Sequence, residues 1–172
     1  MDFELEIQSS KNLSNFVFNK TILYGIPSET ADRRKEGDKH IYNNAEILAV
    51  MEAGSAVNNV PSRELLRPVA MLHKEEIVKA LGVASIFYLE GNETEGDKQL
   101  ELLAIQIENW LKMFFNDPNN GWAPNSPITI NGGWMKNKKS GKPFYVKGKK
   151  SSKPLIDTGS LRQSLKAFVS KV

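Results

Sequence analysis

Histidine and cysteine, the side chains that most often bind metals or act as nucleophiles, are scarce in this sequence. Its 172 residues contain two histidines, His40 and His73, and no cysteine. The histidines lie far apart, and neither is followed at i+3 or i+4 by residues that would complete a zinc site. The lack of cysteine excludes disulfides, thiolate metal sites and cysteine nucleophiles. We therefore expect no metal and no other cofactor.

A pair of glycines, Gly132-Gly133, is a second candidate, because glycine-rich turns can cradle phosphates with their backbone N–H groups. A nucleotide-binding turn of that kind ends in Gly-Lys-Ser/Thr, and no such ending follows here. The tripeptide Asn131-Gly132-Gly133 is by itself a strong turn signal. We expect a turn rather than a nucleotide site.

The third candidate is Asp157, which stands in the order Asp157-Thr158-Gly159 found in aspartic proteases. That chemistry needs two carboxylates that share a proton, and only fifteen residues follow Asp157 to build the rest of a cleft. Asp157 or Thr158 would instead cap a helix that begins at Ser160, and Ser160 and Gln163 also have capping-box spacing. We expect the capping role and no catalytic activity.

Basic charge is concentrated in one segment, although the net charge is only +3. Eight lysines and no acidic residue lie between Trp134 and Lys153, namely Lys136, Lys138, Lys139, Lys142, Lys147, Lys149, Lys150 and Lys153. Trp134, Phe144 and Tyr145 are interleaved with them. Three interpretations remain open: a solvated loop, a contact with an acidic protein surface, or a contact with DNA.

A second basic pair, Arg63 and Arg67, flanks Leu65-Leu66. If this stretch is one helical turn, both guanidinium groups lie on one side while a leucine anchors the other. These four residues are either solvated surface or a contact with a partner protein.

The first half of the chain shows two strand patterns followed by helices. Phe3, Leu5 and Ile7 alternate with polar residues, and residues 21–27 form a second strand pattern, followed by a polar loop over 28–40. We predict a helix over 44–51 ended by Gly54, and another that has Pro68 in its first turn and Gly82 as its stop. Residues 83–89 are apolar throughout, and we favour helix there.

The second half contains the clearest helix pattern. Apolar residues recur at helical spacing from Leu100 to Phe114, with Glu101, Glu108 and Lys112 on the opposite face. A basic hairpin is predicted around Ser140-Gly141 within the segment over about 131–153. Leu155, Leu161, Leu165 and Phe168 lie near helical spacing, although 167–172 could form a closing strand instead. Strands mixed with helices indicate an α+β fold.

Length and hydropathy limit the class of protein. With 172 residues and 40% hydrophobic content, one domain over 1–172 is expected. No stretch approaches the roughly 18 apolar residues of a membrane helix, and the acidic start is unlike a secretory signal. We expect a soluble, unexported protein.

Three motifs, taken together, resemble one family. They are Met51-Glu52-Ala53-Gly54 with Val60-Pro61-Ser62-Arg63-Glu64-Leu65-Leu66-Arg67-Pro68, then Trp122-Ala123-Pro124-Asn125-Ser126-Pro127-Ile128-Thr129, then Pro154-Leu155-Ile156-Asp157-Thr158-Gly159-Ser160-Leu161-Arg162-Gln163-Ser164-Leu165. In this order they resemble the virion-morphogenesis proteins of tailed bacteriophages that complete the tail or join it to the head. The resemblance spans about residues 20–170. The family usually has His-Glu-Phe-Gly in place of residues 51–54 and an aromatic residue in place of Leu65, and relative to the family the basic hairpin over about 131–153 resembles an insertion.

The resemblance implies a structural subunit with a small sheet backed by helices and with no cofactor or reaction. It implies a ring in the virion neck or at the upper end of the tail, six-fold by preference and twelve-fold as the alternative, as a tail terminator or a neck adaptor. Its partners would be further copies and other neck, connector or tail-tube proteins, without a membrane, and assembly would take place in the host cytoplasm.

The resemblance and the basic segment together assign roles to residues. Assembly contacts are expected at Arg63, Leu65, Leu66, Arg67, Trp134, Lys136, Lys138, Lys139, Phe144 and Tyr145. Structural motif positions are Pro68, Trp122, Pro124, Asp157, Thr158, Gly159, Leu161 and Arg162. The alternative function is a small nucleic-acid-binding protein that uses residues 134–153.

Overall fold

The computed structural model describes residues 19–32, 42–56, 59–137, 140–150 and 159–171, and the predicted strand over Phe3–Ile7 lies outside them. The fold is α+β, as predicted. In chain order its elements are β1 (Lys20–Gly25), α1 (Ser28–Ala31), α2 (Asn44–Ala53), α3 (Leu66–Leu72), α4 (Lys74–Leu89), α5 (Glu93–Phe114), α6 (Pro127–Asn131), β2 (Gly132–Lys136), β3 (Pro143–Lys147), α7 (Ser160–Ser164) and β4 (Lys166–Lys171).

Helix α2 has well-defined ends, which explains why its sequence pattern predicted it. The Asn43 side chain accepts from the Glu46 backbone N–H, and the Asn43 N–H donates to the Glu46 carboxylate, so the two residues form a capping box. Gly54, at φ 66°, ends the helix as predicted. A side chain at Gly54 would lie 2.7 Å from the backbone nitrogen of Ser62, so this turn requires glycine.

Helices α3 and α4 replace the single helix predicted to end at Gly82. Pro68 lies in the first turn of α3 as predicted, and the chain turns at His73 before α4 begins. The predicted stop at Gly82 is wrong, because α4 continues to Leu89, and Gly91 at φ 76° follows the end of the helix. The helical preference for residues 83–89 is confirmed.

Helix α5 is the longest element and lies at the centre of the described fold. It runs antiparallel to α4, since Gly96 meets the Tyr88 ring at one end and Trp110 stacks on His73 at the other. The predicted apolar face is buried except for Phe114, which is half-buried; its buried members are Leu100, Leu103, Ala104, Ile107 and Leu111. This face forms the core together with Leu48, Met51, Leu65, Val69, Phe115, Leu161 and Leu165.

Two antiparallel two-stranded sheets complete the described fold. β1 pairs with β4, with Ile22 opposite Val169, and this sheet packs on α5. The closing segment is therefore a short helix, α7, followed by a strand, which confirms the strand alternative for its last residues. β2 and β3 form the predicted basic hairpin, with Trp134 opposite Tyr145.

Candidate functional site

The first resemblance motif folds back on itself through Glu52. The Glu52 Oε1 atom accepts from the backbone N–H groups of Leu65 and Leu66 at 2.8 and 3.0 Å, at the start of α3. The Ser62 hydroxyl donates to the Glu52 carbonyl oxygen at 2.6 Å. Because the first N–H groups of a helix lack partners within the helix, the carboxylate satisfies donors that α3 leaves open.

Arg63 joins the first motif to the second. Its Nε donates to the Ala123 carbonyl oxygen at 3.0 Å and its Nη2 to that of Pro124 at 3.3 Å, while Trp122 Nε1 donates to the Glu64 carbonyl oxygen at 2.8 Å. Only 8% of Arg63 is exposed, and this burial lowers the pKa of its guanidinium group. Arg63 is thus positioned to hold the 122–124 loop against the residues that precede α3.

Residues 63–67 do not form one helical turn, because the chain is not helical before Leu66. Arg63 and Arg67 therefore do not share a surface. Arg63 and Leu65 are buried inside the subunit, Leu66 is half-buried and Arg67 is exposed. Of these four expected contact residues, Arg67 is the one that the subunit surface presents.

The described part of the third motif, residues 159–165, packs against α2. The buried Asn44 side chain donates to the hydroxyl oxygens of Ser164 and Ser160 at 2.6 and 3.0 Å. Leu161 and Leu165 enter the core, whereas Arg162 is half-buried. The three motif segments thus meet in one module around α2, α3 and α7.

The expected cap of α7 is only partly described. Gly159, in the left-handed conformation at φ 75°, occupies the N-cap position, and Ser160 is the first helical residue, so the predicted Ser160–Gln163 capping box is wrong. Asp157 and Thr158 lie outside the described residues, as do Lys138 and Lys139.

The hairpin is exposed on both faces, and Met135 and Phe144, 40% and 44% exposed, lie on one of them. Alternation along β2 and β3 places Trp134, Lys136, Tyr145 and Lys147 on the same side, and we call this set the arm face. Trp134 is 71% exposed and Tyr145 59%, and their rings meet edge to face with centroids 5.6 Å apart. On the opposite side, Gly133 lies against Ile128 of α6.

The base of the hairpin is fixed to α6. The backbone N–H groups of Lys149 and Lys150 donate to the carbonyl oxygens of Thr129 and Ile130, each at 2.9 Å. Gly132 and Gly148 cross so closely that a side chain on Gly132 would lie 2.6 Å from the Gly148 nitrogen. The aromatic and lysine side chains of the arm face therefore stand on a fixed base.

Among the apolar depressions on the described part of the chain, two lie along the long helices. One, of about 410 Å³, runs beside β1 and is lined by Ile22, Tyr24, Ile77 and Leu81 among others. The other, of about 590 Å³, is lined by Leu72, His73, Trp110, Met113, Phe114, Asn116 and Asp117, and we call it the Trp110 pocket. Leu72 and Met113 are 67% and 68% exposed, so its rim is apolar and open.

Glu108 ties α5 to the sheet. Its carboxylate accepts from Lys112, from Lys166 Nζ at 3.2 Å and from the Ala167 backbone N–H at 3.3 Å. Burial raises the pKa of Glu108, but these three donors outweigh the burial and hold the pKa below its usual value. Of the three charged residues expected opposite the apolar face, Glu101 is exposed, whereas Glu108 and Lys112 are half-buried.

A second cluster of polar contacts joins β1 to both long helices, α4 and α5. Lys20 and the Tyr88 hydroxyl both bond to Asp97. The bond from Lys20, followed by that from Tyr88, lowers the pKa of Asp97, and the bond to Asp97 raises the pKa of Lys20. Nothing in the sequence pattern pointed to this cluster, because its members come from three elements.

Neither a metal site nor a membrane helix occurs within the described ranges. They contain no group of three or more His, Cys, Asp or Glu side chains placed to hold an ion. None of their helices combines the length and apolarity required to cross a bilayer.

Comparisons with family models, with curated proteins and with solved structures found no match to this chain.

Proposed function

We propose that this chain is a structural subunit of a tailed-phage virion that catalyses no reaction. In this proposal its copies form a closed ring at the neck or the upper end of the tail, where the ring completes the tail or joins it to the head. Six-fold symmetry is favoured and twelve-fold is the alternative.

The observation that carries the proposal is the contact between the three motif segments. Arg63 of the first motif bonds to Ala123 and Pro124 of the second. Leu161 and Leu165 of the third motif lie in the same core cluster as Met51 and Leu65 of the first. Segments that are separate in sequence but packed together in space form one structural unit. This supports the resemblance as a likeness of fold, while function must be argued from the exposed surfaces.

The exposed apolar surface is the second support, because a subunit needs surface that its neighbours cover. Large apolar side chains are well exposed on the helical body, including Met71, Leu72, Val78, Ile86, Leu102, Ile105 and Met113. A monomer gains nothing from exposing so many in one helical layer, whereas a ring neighbour would remove them from water.

The deciding experiment locates the protein in virions. A gold-labelled antibody against the purified chain, or a reconstruction of the particle, is expected to place it at the junction of head and tail. Native mass spectrometry of the assembled ring then gives the subunit number. Labelling of the capsid shell or of the distal baseplate would refute the proposal.

The arm face supports a second candidate function, the binding of nucleic acid. Two exposed aromatic rings beside two lysines could stack on bases and neutralise phosphates. The test is fluorescence anisotropy with labelled single-stranded and duplex oligonucleotides at 50 and 200 mM salt. A nucleic-acid-binding protein would show tight binding that weakens steeply with salt, whereas a ring subunit would not bind at 200 mM.

A further inference from the structure

We infer that the arm face of one subunit docks into the Trp110 pocket of a second copy of this chain. The inference rests on the proposed ring and names the two surfaces that meet in it. It would make the contact between neighbours head to tail, with a different surface contributed by each partner.

The arm face has the chemistry of an inserting element. Trp134 and Tyr145 bury a large apolar area when covered, and aromatic anchors of this kind dominate the energy of protein interfaces. Both rings are exposed in the single chain, although the base of the hairpin is fixed to α6. Little ordering of the backbone is then required on docking, which favours affinity.

The Trp110 pocket has the matching shape and hydrophobicity. Its volume of about 590 Å³ lies within the roughly 300–1,000 Å³ typical of ligand-sized pockets. His73 covers one face of Trp110, with the two ring planes 1° from parallel and 3.9 Å between centroids. Leu72 and Met113 flank this pair and are exposed, so an aromatic ring from outside would meet apolar side chains.

The charges of the two surfaces are opposite. Lys136 and Lys147 lie beside the aromatic rings of the arm face. Asp117 lines the Trp110 pocket, and the Glu76 carboxylate reaches its edge, 3.6 Å from His73 Nδ1. Docking would therefore bring two cations towards two anions, which favours this orientation over others.

The same charges argue against a symmetric contact between two arms. Residues 134–153 carry eight lysines and no acid, so two arm faces placed together would repel. A contact between unlike surfaces leaves a free arm at one end and a free pocket at the other. Such contacts close into rings when the rotation between neighbours permits.

The principal test mixes two variants that each lack one surface. Trp134→Ala removes the anchor of the arm, and Met113→Arg blocks the pocket at an exposed position. Each variant alone should associate with itself about tenfold or more weakly than the wild type. Mixed together they should form a one-to-one pair that grows no further, because one intact arm and one intact pocket remain. Sedimentation velocity measures this, and Lys142→Glu at the hairpin turn is the control for altered charge alone.

Cysteine trapping keeps the inference testable if the wild type associates weakly. The chain has no cysteine, so Lys136→Cys on one copy and Met113→Cys on another give a single possible mixed disulfide. This pair should cross-link under mild oxidation, whereas Lys136→Cys with Glu101→Cys should not, since Glu101 lies twelve residues earlier on α5.

The outcomes separate the inference from the proposed function. Absence of the mixed disulfide, or wild-type association by both single-surface variants, would overturn the inference and leave the ring to be built from other surfaces. If arm variants lose oligonucleotide binding while neither variant changes association, the arm binds nucleic acid and the inference fails. Failure of virion labelling would instead count against the proposed function.

Discussion

Arg63 Nε donates to the carbonyl oxygen of Ala123 at 3.0 Å, across 60 positions of sequence. The bond joins the residues before α3 to the loop between α5 and α6. Trp122 precedes Ala123 in this loop, and its ring contacts the Phe115 ring edge to face, with 5.1 Å between centroids. The buried Arg63 and the partly buried Trp122 thus both fix the same loop.

Replacement of Arg63 should therefore destabilise the protein. Arg63→Ala leaves two carbonyl oxygens without their donors and should lower the free energy of unfolding by about 1.5–3 kcal/mol. Arg63→Lys should recover only part of this loss, because an ammonium group lacks the planar fork that bonds both carbonyls. Urea denaturation measures the change. The control is Arg67→Ala, an exposed position that should stay within about 0.5 kcal/mol of wild type. Equal losses at both positions would contradict this account.

The Glu52 cap predicts a graded effect. Glu52→Ala removes the acceptor for two backbone N–H groups at the start of α3 and should cost about 0.5–2 kcal/mol. Glu52→Gln keeps an oxygen acceptor but loses the favourable charge at the helix start, so its loss should be smaller. Thermal unfolding by circular dichroism would rank the variants. Glu64→Ala, which removes an exposed carboxylate from the same segment, should change stability little, and a loss as large as that of Glu52→Ala would refute the capping role.

Elements with strong local signals could be predicted from the sequence. The apolar spacing of α5, the capping residues of α2 and the Ser140-Gly141 turn of the hairpin each determine structure within a few residues. Gly82 failed as a stop signal because α4 gains its stability from packing against α5, and this outweighs the modest cost of one glycine inside a helix. Gly91, with its positive φ, carries the conformation that a helix end favours.

The candidate site was harder to predict than these elements, because contacts between residues distant in sequence determine its geometry. Arg63 would share one side with Arg67 if residues 63–67 were a helical turn, yet the chain is not helical before Leu66 and the partners of Arg63 lie 60 and 61 positions away. The partners of Asn44 are 116 and 120 positions away and left no local pattern. The arm face was better anticipated, since strand alternation places Trp134 beside Lys136 without knowledge of the remaining fold.

From the lowered pKa of Glu108 we predict that the stability of the protein falls at acid pH. Because its folded pKa is lowered, the folded carboxyl binds a proton less readily than the unfolded chain, and protonation therefore favours unfolding. The contribution of Glu108 is fully present above the unfolded pKa of about 4.3 and is lost as pH falls through the lower folded value. Glu108→Gln should be less stable at pH 7 and lose less stability on acidification.

The measurement for Glu108 is urea denaturation at a series of pH values from neutral to acid. Asp97 also has a lowered pKa and remains in the variant, so the acid dependence should become shallower without disappearing. Glu101→Gln, at an exposed position on the same helix, should keep the wild-type profile. If the free energy of unfolding of Glu108→Gln varied with pH as it does in the wild type, the ion pairs of Glu108 would not contribute to stability.

The base of the arm predicts opposite results for two glycines. A side chain on Gly148 would lie 2.6 Å from the Ile130 carbonyl oxygen, so Gly148→Ala must push the strand end away from α6 and weaken the bonds from Lys149 and Lys150. The Trp134–Tyr145 contact should be lost, which the loss of nuclear Overhauser effects between the two rings would show. The core resonances should stay in place, because the described part of the hairpin contributes no buried core residue.

Gly82→Ala is the matched control. Its side chain would meet nothing within 4 Å inside α4, so it should stabilise the protein by about 0.5–1 kcal/mol. An intact Trp134–Tyr145 contact in Gly148→Ala would show that the arm is not held by its crossing with α6.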